Sequence, residues 1–499
     1  MPENRLEQTF EQTSKEVQED KYLRSLEFDK VLEILSECAN TPLGKAKCLE
    51  LRPFSNKTTI EKELNFVTEA KRLCDDAGNS GAIPVDFIAD AKNILTAQRL
   101  GAQDIWDLAK TLQTSRITKT FLQKNEGAKL LREEFLGKLI SEKALEDEVF
   151  GIFNSDLTVK DTASSELKRL KNALNDTQDN LKILISGLLS NSDFVSHLQD
   201  TVYTKRDDRT VFQVKASDKS KVTGIVHDVS ASNQTFFIEP EVLIPLHNRI
   251  RQIESEIRAE IERILFALSQ KFHAIKPEIL LTVEVLTALD CICARCKYSI
   301  QISGVSAELS DTKQVEIQAM RHPLLVATCE NVVENDFHLN ENVTSLIITG
   351  SNTGGKTVTL KTIGLLAVMT CAGMHIPALF CKIYPFRRVF ADISEEQSIT
   401  QSLSTFSAHI NNVVKILNSA TDKDLVLFDE LGAGTDPEEG AALARSILEY
   451  LASKRVLTIT TTHLGELKIL QYQDPSFFNA SVEFDTTTLK PTYKLLLGV

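Results

Sequence analysis

Lys356 and Thr357 close the stretch Gly350-Ser351-Asn352-Thr353-Gly354-Gly355-Lys356-Thr357, which follows an apolar β-type run, Ser345 to Thr349, and opens a helical one, Val358 to Met369. Glycines in such a turn let successive backbone N–H groups face a triphosphate, Lys356 places a point charge near its terminal phosphates, and Thr357 can ligate Mg²⁺. The pattern is a Walker A loop and predicts binding of ATP or GTP. Further along, Asp424-Leu425-Val426-Leu427-Phe428-Asp429-Glu430 reads as a buried parallel strand ending in two acids. Asp429 is the expected metal-side acid beside Thr357, and Glu430 the base that positions the attacking water, so the expected reaction is hydrolysis.

The next segment holds a glycine-rich turn with Asp436, a helix from Ala441 to Leu451, and a strand from Val456 to Thr460 that runs into Thr461-Thr462-His463. A histidine just past a strand of the same sheet can reach a terminal phosphate, so His463 joins Glu430 as a candidate catalytic residue. This order of motifs is that of ATP-binding-cassette-type ATPases, which hydrolyse at a dimer interface. No Leu-Ser-Gly-Gly-Gln lies between the two Walker motifs. Gln401-Ser402-Leu403-Ser404-Thr405-Phe406 stands there instead, before a helical run. Hydroxyl side chains at a helix start favour anions, and Ser404 and Thr405 are the candidate phosphate contacts donated by a second copy.

Several of these residues resemble the MutS family. Arg321-His322-Pro323-Leu324-Leu325, Asn335-Asp336, Asn352 with Gly354-Gly355-Lys356, and Ser404-Thr405-Phe406 match its ATPase pattern. The run Thr353 to Leu366, together with Gly224 to Ser232 and Thr235 to Pro240, is similar to the second branch of that family rather than to the mismatch-repair branch. Ser351 and Asn233 depart from the usual proline and glycine without removing a phosphate-contacting group. The resemblance implies a homodimeric ATPase using ATP and Mg²⁺, with lever helices carrying a clamp. Its implied targets are branched or recombining DNA, or stalled and collided ribosomes through their rRNA. The chain ends soon after the ATPase motifs, so the nuclease activity that the family associates with a C-terminal Smr region is not expected of it. A transporter-type ATPase subunit without nucleic-acid binding is the alternative.

Composition sets outer bounds. The chain has 499 residues and a net charge of −13, with nine scattered cysteines. That odd count, with no leader-like start and no apolar run of spanning length, reads as a cytoplasmic protein with reduced thiols and no membrane contact. Cys291, Cys293 and Cys296 lie in one apolar helical run without a second ligand pair nearby, and read as core thiols rather than a metal site. An acidic chain can still grip phosphates through a local stripe. The window 201–224 carries Lys205, Arg206, Arg209, Lys215, Lys219 and Lys221 against Asp207, Asp208 and Asp218.

Leu167, Leu170, Leu174, Leu181, Leu184 and Leu188, and later Leu246, Ile250, Ile253, Ile257, Ile261, Ile264 and Leu268, recur at helical spacing on either side of short strand-like runs at 210–214, 223–226 and 235–238. The pattern predicts two helices with a β tip. The expected class is therefore an α/β P-loop NTPase with a mostly parallel sheet, a large all-α core and lever region, and a helical clamp arm. The expected divisions are 1–150 for helical core and lever, 151–275 for the arm, 276–310 for a helical return, and 311–499 for the ATPase.

Overall fold

The computed structural model describes residues 19–76, 83–329, 331–350, 355–393, 402–485 and 490–498. The chain divides into two compact units, each assembled from separated stretches: one from Met1–Ile88, Thr114–Ile140 and Leu281–Val499, the other from Ala89–Gln113 and Ser141–Leu280.

The smaller unit contains both leucine- and isoleucine-striped segments as long helices. The first spans Ser165–Ser190; Ser164 caps it, its Oγ accepting from the Leu167 N–H at 2.9 Å and donating to Glu260 at 2.7 Å. The second spans Ile244–Ala274 and buries Ile253, Ile257, Ile264 and Leu268. The two pack along each other. Between them in sequence lie β1 (Leu198–Arg206), β2 (Arg209–Lys215), β3 (Gly224–Val229) and β4 (Thr235–Pro240). They form an antiparallel sheet in the order β1-β2-β4-β3. Asp207 and Asp208 join β1 to β2 with φ of 48° and 60°, the positive pair that a tight turn needs to match strand twist. Leu198, Phe212, Val214 and Ile238 form its buried face, against Ile185 and Leu243. Glu239 on β4 is fully buried, and accepts from Arg209 at 2.8 Å and from His227 and His247 at 2.7 Å each. Those three donors replace the water that a buried carboxylate loses. Arg209, one of the six cations of the basic window, is thereby committed to the fold.

In the larger unit the strands are β5 (Glu308–Leu309), β6 (Val315–Met320), β7 (Asn335–Leu339), β8 (Ser345–Thr349), β9 (Phe380–Ile383), β10 (Val389–Asp392), β11 (Leu425–Phe428), β12 (Leu457–Thr461), β13 (Phe477–Asp485) and β14 (Lys490–Leu497). A six-stranded sheet runs β10-β11-β12-β8-β13-β14, and a smaller one β5-β9-β6-β7. All neighbours in the larger sheet are parallel except the β13–β14 pair. Every residue of β8, β11 and β12 is buried, as expected of parallel strands covered on both faces. The chain is thus mixed α/β with a mostly parallel main sheet.

One helix, Lys356–Cys371, follows β8 directly and is buried almost all round. Glycine at 364 permits this: a Cβ there would stand 2.3 Å from Leu427 of β11 and 2.8 Å from Leu26. A second core, among the surrounding helices, gathers Phe66, Val67, Leu122, Leu131, Leu286 and Leu289. Between the two cores, the buried Arg295 donates to the Gly373 carbonyl at 3.1 Å and pairs with Glu63 at 2.6 Å. Its guanidinium thus ties the Lys57–Asp76 helix, the Lys276–Gln301 helix and the turn after Cys371.

Candidate functional site

Gly350 follows β8 with φ 139°, and Gly355 caps the start of the next helix with φ 89°. Neither position accepts a side chain, because a Cβ would lie 2.6 Å from Val482 at Gly350 and 2.7 Å from the Tyr493 ring at Gly355. Ser351, Asn352, Thr353 and Gly354 lie outside the described residues. The helix begins at Lys356, two residues earlier than the apolar run alone suggests. Lys356 is only 2 % exposed, and its Nζ donates to the Gly350 carbonyl at 2.7 Å. Burial pulls its pKa below the usual lysine value, while the nearby charges of Glu430 and Asp429 oppose that shift.

The acids lie just past the end of β11 rather than within it, since the strand stops at Phe428. Thr357 Oγ1 donates to Asp429 at 2.9 and 3.1 Å, and Thr461 Oγ1 donates to the same carboxylate at 2.5 Å. The Asp429 N–H is held by the Asp392 carbonyl at 3.0 Å. One hydroxyl and one carboxylate, from two different elements, therefore already touch, both oxygens of the kind that could ligate a hard divalent cation. Glu430 has φ 51°, a left-handed backbone that a glutamate adopts only where its surroundings enforce it. What holds it is the Thr461 hydroxyl, which accepts the Glu430 N–H at 2.9 Å.

His463 is exposed, two residues beyond the end of β12. Asp436 is the N-cap of the Pro437–Ser453 helix, accepting from the Glu438 and Glu439 N–H groups at 3.0 and 3.4 Å. Ser404 and Thr405 fall in the first turn of the Ser402–Ser419 helix; their side chains are outside the described residues. Lower in that helix, His409 and Asn412 grip Asp392 at the end of β10, at 3.1 and 2.8 Å. The hydrogen bond to Asp392 raises the His409 pKa above the ordinary histidine value, against the opposing effect of burial. A raised histidine pKa contributes stability in full below the unfolded value and loses it as pH rises through the folded one. NMR titration of His409 is accordingly expected to give a midpoint above about 6.5, and Asp392→Asn to bring it down; an unmoved midpoint would break the link.

Sequence reasoning missed the pocket next to Gly355. It encloses about 300 Å³ and is lined by Val333, Asn335, Val358, Thr359 and Tyr493, with His322 at its buried side. Asn335 secures it, donating to the Tyr493 carbonyl at 2.9 Å and accepting from the Leu495 N–H at 2.8 Å. Asp336 does the same for β6, accepting the Ala319 N–H at 2.8 Å. The Asn335-Asp336 pair was the available signal. Nothing around Tyr493 distinguished it from any other strand tyrosine.

Residues 346–497 match the model of MutS domain V. A protein named Endonuclease MutS2 from Alkaliphilus oremlandii is 39 % identical over 487 residues, covering 96 % of this chain. Another of that name from Clostridium beijerinckii is 41 % identical over 488 residues, again covering 96 %. The chain belongs to the MutS family. It spans 61 % of the length of each of these two relatives. Within this MutS-family chain, the domain V match begins on β8, ends in β14 and so includes Lys356, Asp429, Glu430, His463 and Tyr493. Both sequence motifs fall within the match, as do Val358, Thr359 and Tyr493 of the pocket, whereas its His322, Val333 and Asn335 precede it. Among the described residues no helix is long and apolar enough to cross a membrane.

Proposed function

We propose that this chain is a MutS-type ATPase that works as a homodimer and clamps a nucleic-acid target, either branched or recombining DNA or the rRNA of a stalled ribosome. The observation that carries the ATPase reading is the contact of Thr357 and Asp429 beside a buried Lys356. These residues suit a nucleotide with Mg²⁺, which would supply charge neutralisation at the phosphates. Lys356 exchanges the Gly350 carbonyl for a phosphate oxygen. Glu430, held in its strained backbone, orients the attacking water and takes its proton on a carboxylate oxygen. Tyr493 and the pocket beside Gly355 receive the base. His463, exposed past β12, and Ser404 and Thr405 from the second copy complete the site at the dimer interface. A Lys356→Ala chain mixed with a Ser404→Ala chain is then expected to recover turnover that neither has alone, one site of the mixed dimer being intact.

The clamp reading rests on the paired long helices and their β tip. On that tip Lys219 lies 4.5 Å from the Phe236 ring and Lys221 pairs with Asp218 at 3.1 Å, both exposed, whereas the Lys215 amine donates to the Ser196 carbonyl. Lys205 and Arg206 on β1 are exposed as well, and Lys219 and Lys221 are the two cations chosen to test the reading. Reversing both to Glu is expected to flatten the slope of log affinity against log salt on duplex DNA by about 0.9 for each phosphate that is no longer neutralised. ATPase activity without a target should stay near that of the unaltered chain. An unchanged slope would place the grip elsewhere.

The word endonuclease belongs to the relatives' names, and we assign no nuclease role to residues of this chain. The deciding experiment measures ATP turnover alone, with a four-way DNA junction, and with ribosomes. Stimulation by one of the two names the target; stimulation by neither, with turnover itself intact, removes the clamp reading and leaves the ATPase.

A further inference from the structure

The thiols of the second core are unused by the nucleotide site. Cys74 lies near the end of the Lys57–Asp76 helix, partly exposed, and Cys296 is 1 % exposed on the Lys276–Gln301 helix. Their sulfurs stand 3.9 Å apart. A disulfide requires about 2.05 Å, so the bond needs the sulfurs to close by less than 2 Å, and Cys74 sits in the last turn of its helix, where the backbone yields most readily.

We propose that Cys74 and Cys296 form a redox modification site, oxidised to an intramolecular disulfide by a hydroperoxide. Exposure assigns the order of events. The Cys74 thiolate attacks the peroxide O–O bond, forming a sulfenic acid and releasing hydroxide, which takes up the proton given up by the thiol to become water. The Cys296 sulfur then attacks the sulfenic sulfur; the S–S bond forms, the S–O bond breaks, and the hydroxyl leaves with the Cys296 proton as a second water. Two thiols and one hydrogen peroxide give one disulfide and two waters. Burial and the neighbouring Cys74 push the Cys296 thiol up to about 12, so it is a poor first nucleophile; its place as the resolving sulfur rests on the 3.9 Å that separates it from Cys74. Cys293, one turn earlier and fully buried, is likewise held protonated by its surroundings. The product ties two helices of the second core to each other until a thiol reductant releases them.

The test treats the reduced full chain with stoichiometric hydrogen peroxide under native conditions, blocks the remaining thiols with N-ethylmaleimide, and maps peptides by mass. A linked peptide pair containing Cys74 and Cys296, with the loss of two hydrogens, is the expected result. Cys74→Ser is expected to abolish the link, and Cys296→Ser to leave Cys74 as a sulfenic acid that dimedone traps. The oxidised chain should also unfold at higher urea than the reduced one, a shift absent from Cys74→Ser. Oxidation confined to the exposed Cys329, or a Cys74–Cys296 link that appears only after denaturation, would overturn the proposal. The mapping on the unaltered chain decides even if a variant fails to fold.

Discussion

Replacing Glu430 with Gln is expected to leave ATP binding within about threefold while lowering turnover by about 10²–10⁴-fold, the range a positioned general base supplies. The amide keeps the size, the backbone strain and the Thr461 contact to the Glu430 N–H, and removes only the proton acceptor. Single-turnover phosphate release, alongside an equilibrium binding titration, separates the two quantities. Near-normal release would remove Glu430 from the chemistry and leave His463 as the remaining candidate.

The second large effect is at Lys356, and it has two opposite signs. Lys356→Met should weaken ATP binding roughly ten- to hundredfold, the loss of a charged hydrogen bond of about 1.5–3 kcal/mol. The same change should make the nucleotide-free chain no less stable, and more stable if the burial cost dominates. Because burial lowers the folded pKa of this lysine, the cost is present in full at any pH below that folded value. It lifts only as pH climbs from the folded value towards the unfolded one. Urea unfolding without nucleotide measures the second sign. A variant that binds ATP normally, or that is strongly destabilised without it, would make Lys356 a structural residue instead.

Local chemistry explains how much of this was legible. Gly350 follows β8 and the two acids follow β11, strands whose unbroken apolar runs mark covered parallel strands, so the chemical groups lie within a few residues of those runs. The leucine and isoleucine stripes likewise became the helices Ser165–Ser190 and Ile244–Ala274. β1 escaped because most of its residues face solvent, which removes the alternation that reveals a strand. Tyr493 escaped for a different reason: it meets Gly355 only because β13 pairs with β8 and β14 returns beside it. Counting charges on the basic window could not show that Arg209 is spent on a buried Glu239. Nor could spacing reveal that the two compact units interleave along the chain, because that depends on packing between distant helices.

Thr461 gives the two acids a shared support. Its one hydroxyl donates to Asp429 and accepts from the Glu430 N–H, and it ends the strand that leads to His463. A shift of the Thr461 side chain therefore alters a contact of Asp429 and a contact of Glu430 together. Asp429 keeps its separate holds on Thr357 and the Asp392 carbonyl, so what Thr461 joins is the carboxylate of one acid to the backbone of the next.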